Sequence, residues 1–274
     1  MATRRVDLEG SQLRFDHGAQ YFTVREPAFQ DAVRDWLGKG VVAPWPDAGK
    51  DAWVGTPSMN APLKHMAQTA AVHWGTRVTE LEKQGAEWRI VGEAAEFRAT
   101  NLVIAIPPEQ ASALLQDVAP DLAEEASQVR SDPSWALMVQ FPERLPFEPN
   151  VYRSADGPVA WAARNSAKPG RDGGETWVIH ASMRRTRELL DIGKDAVIEP
   201  LLADFFSSLA IVPQEPTYAA AHRWLYAKPS VTGEGPAIWD QLRKIGLAGD
   251  WLHSPRVEGA FLSGHALAQE ILGT

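Results

Sequence analysis

The stretch Ile245-Gly246-Leu247-Ala248-Gly249-Asp250-Trp251, followed by Arg256-Val257-Glu258-Gly259-Ala260, carries the strongest structural signal in this 274-residue chain. The first part predicts a strand of small residues that ends in a carboxylate. The second part predicts a helix, from about Glu258, that opens without bulky side chains. Such a helix start lets a flat ligand approach backbone N–H groups, and its dipole favours negative charge by roughly 0.3–1 kcal/mol. A Gly-Asp turn followed by an ordinary helix cap is the alternative interpretation.

Helical periodicity recurs elsewhere in the chain. Apolar residues spaced three and four apart predict a helix over residues 27–39, and similar spacing, interrupted by Pro120, covers residues 110–130. A further helix is predicted over about 184–210. The continuous apolar run at 101–106 predicts a strand that is covered on both faces.

The middle of the chain has a different pattern. The runs 135–141, 159–163 and 176–181 predict strands, and turns rich in Pro, Gly and Asp separate them. Short strands joined by such turns are typical of an antiparallel sheet. The chain therefore predicts an α+β fold, in which an α/β layer is interleaved with an antiparallel-sheet domain.

Composition excludes several classes of function. The net charge is −8 and no basic run is present, so we expect no nucleic-acid partner. The absence of cysteine excludes disulfides, thiolate nucleophiles, cysteine-ligated metals and a flavin tethered through sulfur. The sequence shows neither a long apolar run nor a signal-peptide core, which predicts a cytoplasmic protein without membrane contact. The oligomeric state is not predicted.

The seven histidines show no His-Glu-x-x-His spacing, so no metal site is predicted. No Ser/His/Asp arrangement and no pair of carboxylates stands out. The eleven tryptophans are more numerous than the four tyrosines. Most are expected to pack in the core, and the alternative is that flat rings line a cleft.

The C-terminal stretch, together with Ser263-Gly264, resembles the flavin signature of the flavin amine oxidase superfamily. Within that superfamily it resembles bacterial renalase-like proteins. Four other segments resemble the same family: residues 16–23 (Asp-His-Gly-Ala-Gln-Tyr-Phe-Thr), 161–169, 176–181 and 221–227. The resemblance covers the whole chain.

This resemblance implies a Rossmann-like FAD/NAD(P)-binding fold in two domains. The FAD-binding domain would comprise residues 1–40, 60–130 and 240–274. The substrate domain, with its antiparallel sheet, would comprise residues 41–59 and 131–239.

The resemblance also implies a reaction. Renalase-type proteins oxidise dihydronicotinamide isomers of NAD(P)H and pass the electrons to oxygen, which gives hydrogen peroxide. Hydride transfer to the flavin N5 needs no acid or base from the protein, so no catalytic side chain is predicted. The FAD contacts implied by the resemblance are Gln20, Tyr21, Gly249, Asp250, Val257, Glu258, Gly259 and Ala260. Of these, Asp250 would lie near the ribityl–diphosphate and residues 257–260 at the isoalloxazine.

Two groups of residues are candidates for the substrate pocket. Strand alternation over residues 222–226 places His222, Trp224 and Tyr226 on one face, as a ring-lined wall or as a packed sheet face. Trp161 and Arg164 would place a ring and a cation near an anionic dinucleotide. The alternative for that pair is a surface arginine beside a core tryptophan.

One departure from the family pattern concerns the dinucleotide-binding loop. In the family, a strand, a Gly-x-Gly-x-x-Gly turn and a helix precede the point at which this chain begins. The 274 residues contain no such motif. We therefore expect an N-terminally truncated form, caused either by a start codon placed too late or by a genuine shortening that leaves a chain unable to hold FAD. The alternative functions are a flavin monoamine oxidase and a cofactor-free binding protein.

Overall fold

Strands and helices are mixed throughout the described chain, which confirms the predicted α+β class. The strands are β1 (Arg4–Leu8), β2 (Ser11–Phe15), β3 (Phe22–Thr23), β4 (Val42–Pro44), β5 (Ala52–Gly55), β6 (Val78–Gln84), β7 (Glu87–Gly92), β8 (Glu96–Ala99), β9 (Leu102–Ile104), β10 (Ser131–Phe141), β11 (Val151–Arg153), β12 (Val159–Arg164), β13 (Glu175–Ala181), β14 (Tyr218–Pro229), β15 (Ile238–Asp240) and β16 (Ile245–Leu247). The helices are α1 (Pro27–Gly38), α2 (Ala61–Met66), α3 (Pro108–Leu115), α4 (Pro120–Ser127), α5 (Met183–Glu188), α6 (Ile198–Leu209), α7 (Asp250–His253) and α8 (Val257–Leu272).

The structure is a computed structural model that describes residues 1–8, 10–171, 173–231 and 235–273. Contacts divide the chain into unit 1, Met1–Thr69 with Asp132–Ala227, and unit 2, Ala70–Ser131 with Lys228–Thr274. The units differ in extent from the predicted domains, because residues 1–40 belong to the same unit as the middle strands. The assignment of cofactor and substrate to particular domains remains a prediction.

Unit 1 is built on a five-stranded sheet in the order β11-β12-β13-β10-β14. The pairs β11·β12, β12·β13 and β13·β10 are antiparallel, as the turns between them predict. Side chains alternate between the two faces of such a sheet. One face packs on α6 in a core that contains Leu137, Trp177 and Phe205. On the opposite face, Met138 and Val178 pack against Leu13 and Phe15 of β2.

The predicted helix over 184–210 is wrong as a single element. The structure has α5, then turns, and then α6. Pro200 explains why α6 does not begin earlier, because a proline ring inside a helix clashes with the carbonyl four residues earlier and lacks an N–H to donate. Pro200 is tolerated here because it is the third residue of α6, where helix N–H groups have no partner within the helix.

Unit 2 contains a small sheet in the order β15-β16-β9, in which β16 and β9 are parallel, and a β6-β7-β8 meander. Its core includes Trp88, Leu115 and Trp251. The predicted strand at 101–106 is shorter than expected, and it is not covered on both faces. Leu102 and Ile104 are buried, but Val103 between them is 46% exposed.

Candidate functional site

The C-terminal stretch in unit 2 has the predicted strand and helix. β16 ends at Leu247, and α8 begins at Val257, within two residues of Gly259 as expected. A short helix that the sequence pattern does not predict, α7, begins at Asp250. The N–H of Gly249 donates to Oγ of Ser263 at 2.8 Å, which ties the strand end to α8. That a flat ligand approaches the backbone N–H groups at the start of α8 remains a prediction.

The glycines of this stretch are required by the protein's own packing. A Cβ on Gly259 would overlap the carbonyl oxygen of Ser254, and a Cβ on Gly249 would lie 2.5 Å from Nε1 of Trp251. A Cβ on Gly246 would lie 2.7 Å from Cδ1 of Leu267, because α8 packs closely on β16. The space beside Gly259 is therefore occupied by the chain itself.

The other predicted cofactor residues of unit 2 differ in accessibility. Glu258 is buried, Val257 is half-buried and Ala260 is exposed. Asp250 is half-buried, and burial raises the pKa of its carboxyl. A half-buried carboxylate can accept hydrogen bonds from ligand hydroxyl groups, and the predicted contact of Asp250 with the cofactor remains a prediction.

In unit 1, the predicted alternation over residues 222–226 is confirmed. Trp224 donates from Nε1 to the carbonyl oxygen of His17 at 2.8 Å, and the two rings stack with centroids 5.3 Å apart. The His222 ring meets the His17 ring edge-on at 5.1 Å. Arg223 lies on the opposite face, over the ring of Trp135. Tyr226 is further along the strand and is 38% exposed. We refer to His17, His222 and Trp224 as the ring cluster.

A second aromatic group contains two predicted residues. Tyr21 stacks on Trp161 with centroids 5.2 Å apart, and the guanidinium of Arg153 lies 4.5 Å from the centroid of Trp161. Nε1 of Trp161 is buried and has no hydrogen-bond partner. Such a donor usually has a partner, because an unsatisfied buried N–H costs about 1–3 kcal/mol.

Arg164 is committed to the protein interior. Its Nε donates to both carboxylate oxygens of Glu175, at 3.0 and 3.1 Å, and its other nitrogens donate to Asn150 and to neighbouring carbonyls. The side chain is only 2% exposed, so the surface-arginine alternative is wrong. These contacts favour a structural role, and its predicted contact with substrate remains a prediction. A cavity of about 580 Å³ lies beside Arg164, with Arg144, Ser166 and Glu175 in its lining.

Sequence analysis does not single out a buried charge cluster formed by Asp16, Lys168 and Arg171. Asp16 Oδ2 lies 3.0 Å from Nε of Arg171 and 3.6 Å from Nζ of Lys168. Its Oδ1 accepts from Oγ of Thr3 at 2.7 Å and from the N–H of Met59 at 3.0 Å. Asp16 and Lys168 lie in segments that resemble the family, but residue type alone does not reveal that they pair 152 positions apart.

Burial shifts the titration of this cluster and of the histidines near it. Burial alone would raise the pKa of Asp16, but Lys168 and Arg171 outweigh it and hold that pKa below its ordinary value. Burial lowers the pKa of Lys168 to about 8, against the attraction of Asp16. Burial also lowers the pKa of His17 and of His180 to about 4, so both imidazoles are neutral at pH 7.

Gln20 connects the charge cluster to a histidine. Its Oε1 accepts from Nζ of Lys168 at 3.0 Å, and its Nε2 lies 3.0 Å from Nε2 of His180. The structure therefore places Gln20, a predicted cofactor residue, in contact with Lys168 and His180, which were not predicted to be functional from the sequence.

Neither a metal centre nor a membrane span is found in the described ranges. No three His, Asp or Glu side chains among the described residues are grouped as metal ligands would be. None of the described helices combines the length and the apolar character that crossing a bilayer requires.

Comparison with known proteins places the chain in a family. The profile of the flavin containing amine oxidoreductases matches residues 44–272. Among solved structures, the chain is similar to a putative protoporphyrinogen oxidase from Exiguobacterium sp. 255-15, with TM-score 0.63 and 14% identity over 81% of this chain and 52% of that one. It is also similar to a redesigned putrescine oxidase, with TM-score 0.64 and 12% identity over 83% and 56% of the two chains.

A third similar structure is cyclohexylamine oxidase from Brevibacterium oxydans IH-35A, with TM-score 0.60 and 14% identity over 82% of this chain and 55% of that one. Identities this low show the shared fold alone. The chain spans about half the length of these solved structures. Because the family profile covers most of the sequence, the chain belongs to the flavin-containing amine oxidoreductase family.

Proposed function

We propose that this protein is an FAD-dependent oxidoreductase of renalase type, which oxidises dihydronicotinamide isomers of NAD(P)H with oxygen as the electron acceptor. Family membership supports the flavin. The observation that carries the choice of substrate is the charge of unit 1. Among its described residues, the buried charged side chains are three bases, Arg164, Lys168 and Arg171, and two acids, Asp16 and Glu175, which leaves one positive charge in excess.

This charge favours an anionic substrate over a cationic one. Glu175 is paired with Arg164, and Asp16 is shared between Arg171 and Lys168. A protonated amine about 5 Å from an uncompensated cation would be repelled by roughly 3 kcal/mol at an effective dielectric constant of 20. A dihydronicotinamide dinucleotide has a negative diphosphate and a flat ring, which suits the aromatic side chains of unit 1.

We propose the following roles for the predicted residues. Bound FAD would supply the hydride acceptor, which no side chain of this chain can replace. In unit 2, Asp250 accepts hydrogen bonds from hydroxyl groups of the cofactor. In unit 1, Gln20 and Tyr21 contact the cofactor, and His222, Trp224 and Trp161 present rings to the substrate. His17 and His180 act as neutral hydrogen-bonding groups and not as acids at pH 7, because the pKa of each is about 4.

A flavin monoamine oxidase is the second candidate. Two of the similar structures are putrescine oxidase and cyclohexylamine oxidase, and the family profile is compatible with either substrate. The two candidates differ in the charge of the substrate and in the bond that is oxidised. In the first case hydride leaves a ring carbon of the dihydropyridine. In the second case hydride leaves the carbon that bears the amine.

A comparison of substrates separates these candidates. The full chain is purified, supplemented with FAD, and assayed for hydrogen peroxide with dihydronicotinamide isomers and with primary amines. We expect a yellow protein that forms peroxide from the dinucleotide isomers. Turnover of amines alone would establish the amine oxidase. A folded protein that stays colourless with excess FAD would contradict both and leave a cofactor-free binding protein.

A further inference from the structure

The amide of Gln20 is held between a cation and an imidazole. Oε1 accepts from Nζ of Lys168 at 3.0 Å, and Nε2 lies 3.0 Å from Nε2 of His180. The same amide nitrogen also faces the carbonyl oxygens of Asp16 and Gly18, so its two N–H groups are shared among three neighbouring atoms. Gln20 and Lys168 are 8% and 2% exposed, so the protein and not solvent sets the orientation of this amide.

The donors and acceptors of the hydrogen-bonded series Lys168–Gln20–His180 allow one arrangement of protons. An ammonium group only donates hydrogen bonds, so the oxygen of the Gln20 amide must face Lys168. The amide nitrogen then faces His180, and an amide nitrogen also only donates. A proton on Nε2 of His180 would point at this donor and find no acceptor there, so Nε2 carries none. Because the ring is neutral, its proton is on Nδ1.

The residue paired with His180 on the neighbouring strand, Trp161, has an N–H donor that also lacks a partner. His180 of β13 and Trp161 of β12 are directly paired, so their side chains leave the sheet on the same face. Nδ1 of His180 bonds to none of the described residues, and Nε1 of Trp161 is buried without a partner. Two N–H donors that lack an acceptor therefore lie on neighbouring strands.

We propose that Lys168, acting through Gln20, fixes His180 as the Nδ1–H tautomer, and that His180 and Trp161 together bind an oxygen acceptor of the substrate. Lys168 is then a positioning residue, and the two rings determine specificity. The carboxamide oxygen of a nicotinamide ring has the required chemistry, because it is an acceptor with two lone pairs. This inference rests on the proposed function, which it extends to the group that recognises the substrate.

The tautomer is measured by two-bond ¹H–¹⁵N correlation spectra of the uniformly labelled full chain, with the His180 signals identified by their loss in His180→Gln. We expect a neutral ring with the proton on Nδ1 at pH 6–7, where Lys168 is an ammonium. A proton on Nε2 in the parent protein would overturn the inference.

Two variants test the role of the Gln20 amide, and one serves as a control. In Gln20→Glu a carboxylate replaces the donor, so the proton should move to Nε2 of His180. In Lys168→Met the amide loses the cation that orients it, and both tautomers should appear. Gln30→Glu, on the surface of α1, should leave His180 unchanged. If Gln20→Glu is folded by its amide spectrum and keeps the Nδ1–H form, the inference is wrong.

Oxidised NAD⁺ serves as the ligand probe, since it has the carboxamide but cannot donate hydride. Titration should shift the His180 Nδ1 and Trp161 indole signals together, and Gln20→Glu should weaken NAD⁺ binding about tenfold. The absence of both shifts at saturating NAD⁺ would overturn the ligand contact. If both signals shift while dihydronicotinamide isomers yield no peroxide, the inference holds and the proposed oxidation fails.

Discussion

Nζ of Lys168 lies 3.6 Å from Oδ2 of Asp16, and both side chains are closed to solvent. Arg171 shares the same carboxylate oxygen, with its Nε at 3.0 Å. One buried acid is therefore shared by two buried bases. A carboxylate in that position stabilises the fold mainly by preventing two uncompensated charges in the interior.

Replacing Asp16 should strongly destabilise the folded protein. We expect Asp16→Asn, which keeps the shape but removes the charge, to lower the free energy of unfolding by about 3–5 kcal/mol. Asp31→Asn is the control, because the Asp31–Arg34 pair on α1 is 73% exposed on both sides and should contribute at most about 1 kcal/mol. Urea unfolding measures both. Equal losses in the two variants would contradict the importance of the buried cluster.

Acid should destabilise the protein in a defined window. The folded protein keeps His17 and His180 neutral down to a pKa of about 4, whereas the unfolded chain protonates them at about 6.5. The unfolded state therefore binds more protons between these values, and stability falls as the pH decreases from 6.5 to 4, by about 3 kcal/mol for each ring.

The slope of stability against pH tests this assignment. His180→Gln should reduce the slope between pH 6.5 and 4, whatever it does to stability at pH 7. His253→Gln, at an exposed position, should leave the slope unchanged. An unaltered slope in His180→Gln would show that this imidazole is not held neutral.

Two glycines of α8 make a matched pair. A Cβ on Gly259 would overlap Ser254, so Gly259→Ala should destabilise the fold by about 1–3 kcal/mol through overpacking. A Cβ on Gly264 would meet nothing within 4 Å, and Gly264→Ala should stabilise the helix by about 0.5–1 kcal/mol. Thermal unfolding without added flavin is the measurement. A neutral Gly259→Ala would mean that Ser254 does not pack there.

Local pattern predicted most of these elements, because helical spacing and strand alternation depend on neighbouring residues. The starts of α1 and α8 and the strands β10, β12 and β13 follow from such spacing. The break before Pro200 was missed because apolar spacing outweighed the proline in the prediction. The exposed face of β9 was missed because a continuous apolar run, here residues 102–106, does not show what covers each face of the strand.

The candidate site was predictable only in part. The shared face of His222 and Trp224 follows from alternation along one strand. The Lys168–Gln20–His180 chain joins residues that are 148 and 160 positions apart in sequence, so only the fold brings them together. The single observable hint was that each of these residues lies in a segment that resembles the family. Buried partners of this kind leave no periodic signal.

Asp250 offers a way to separate cofactor binding from folding. Asp250→Asn should weaken FAD binding about ten- to a hundredfold, because a hydrogen bond to a charged acceptor contributes about 1.5–3 kcal/mol. Stability should not fall, since burial raises the pKa of Asp250 and so disfavours its charged form in the fold. Calorimetric titration with FAD measures the affinity, with the exposed Asp51→Asn as control. Parent-like affinity would remove Asp250 from the proposed cofactor site.

The choice of substrate is tested by single-turnover reduction without oxygen. The full chain, loaded with FAD, is mixed anaerobically with a dihydronicotinamide isomer or with a primary amine, and the yellow absorbance of oxidised flavin is followed. We expect the isomer to bleach the flavin and the amine to leave it oxidised, and admitted oxygen to restore the colour with release of one hydrogen peroxide per flavin. Bleaching by the amine alone, or by neither compound, would contradict the proposed oxidation of dihydronicotinamide isomers.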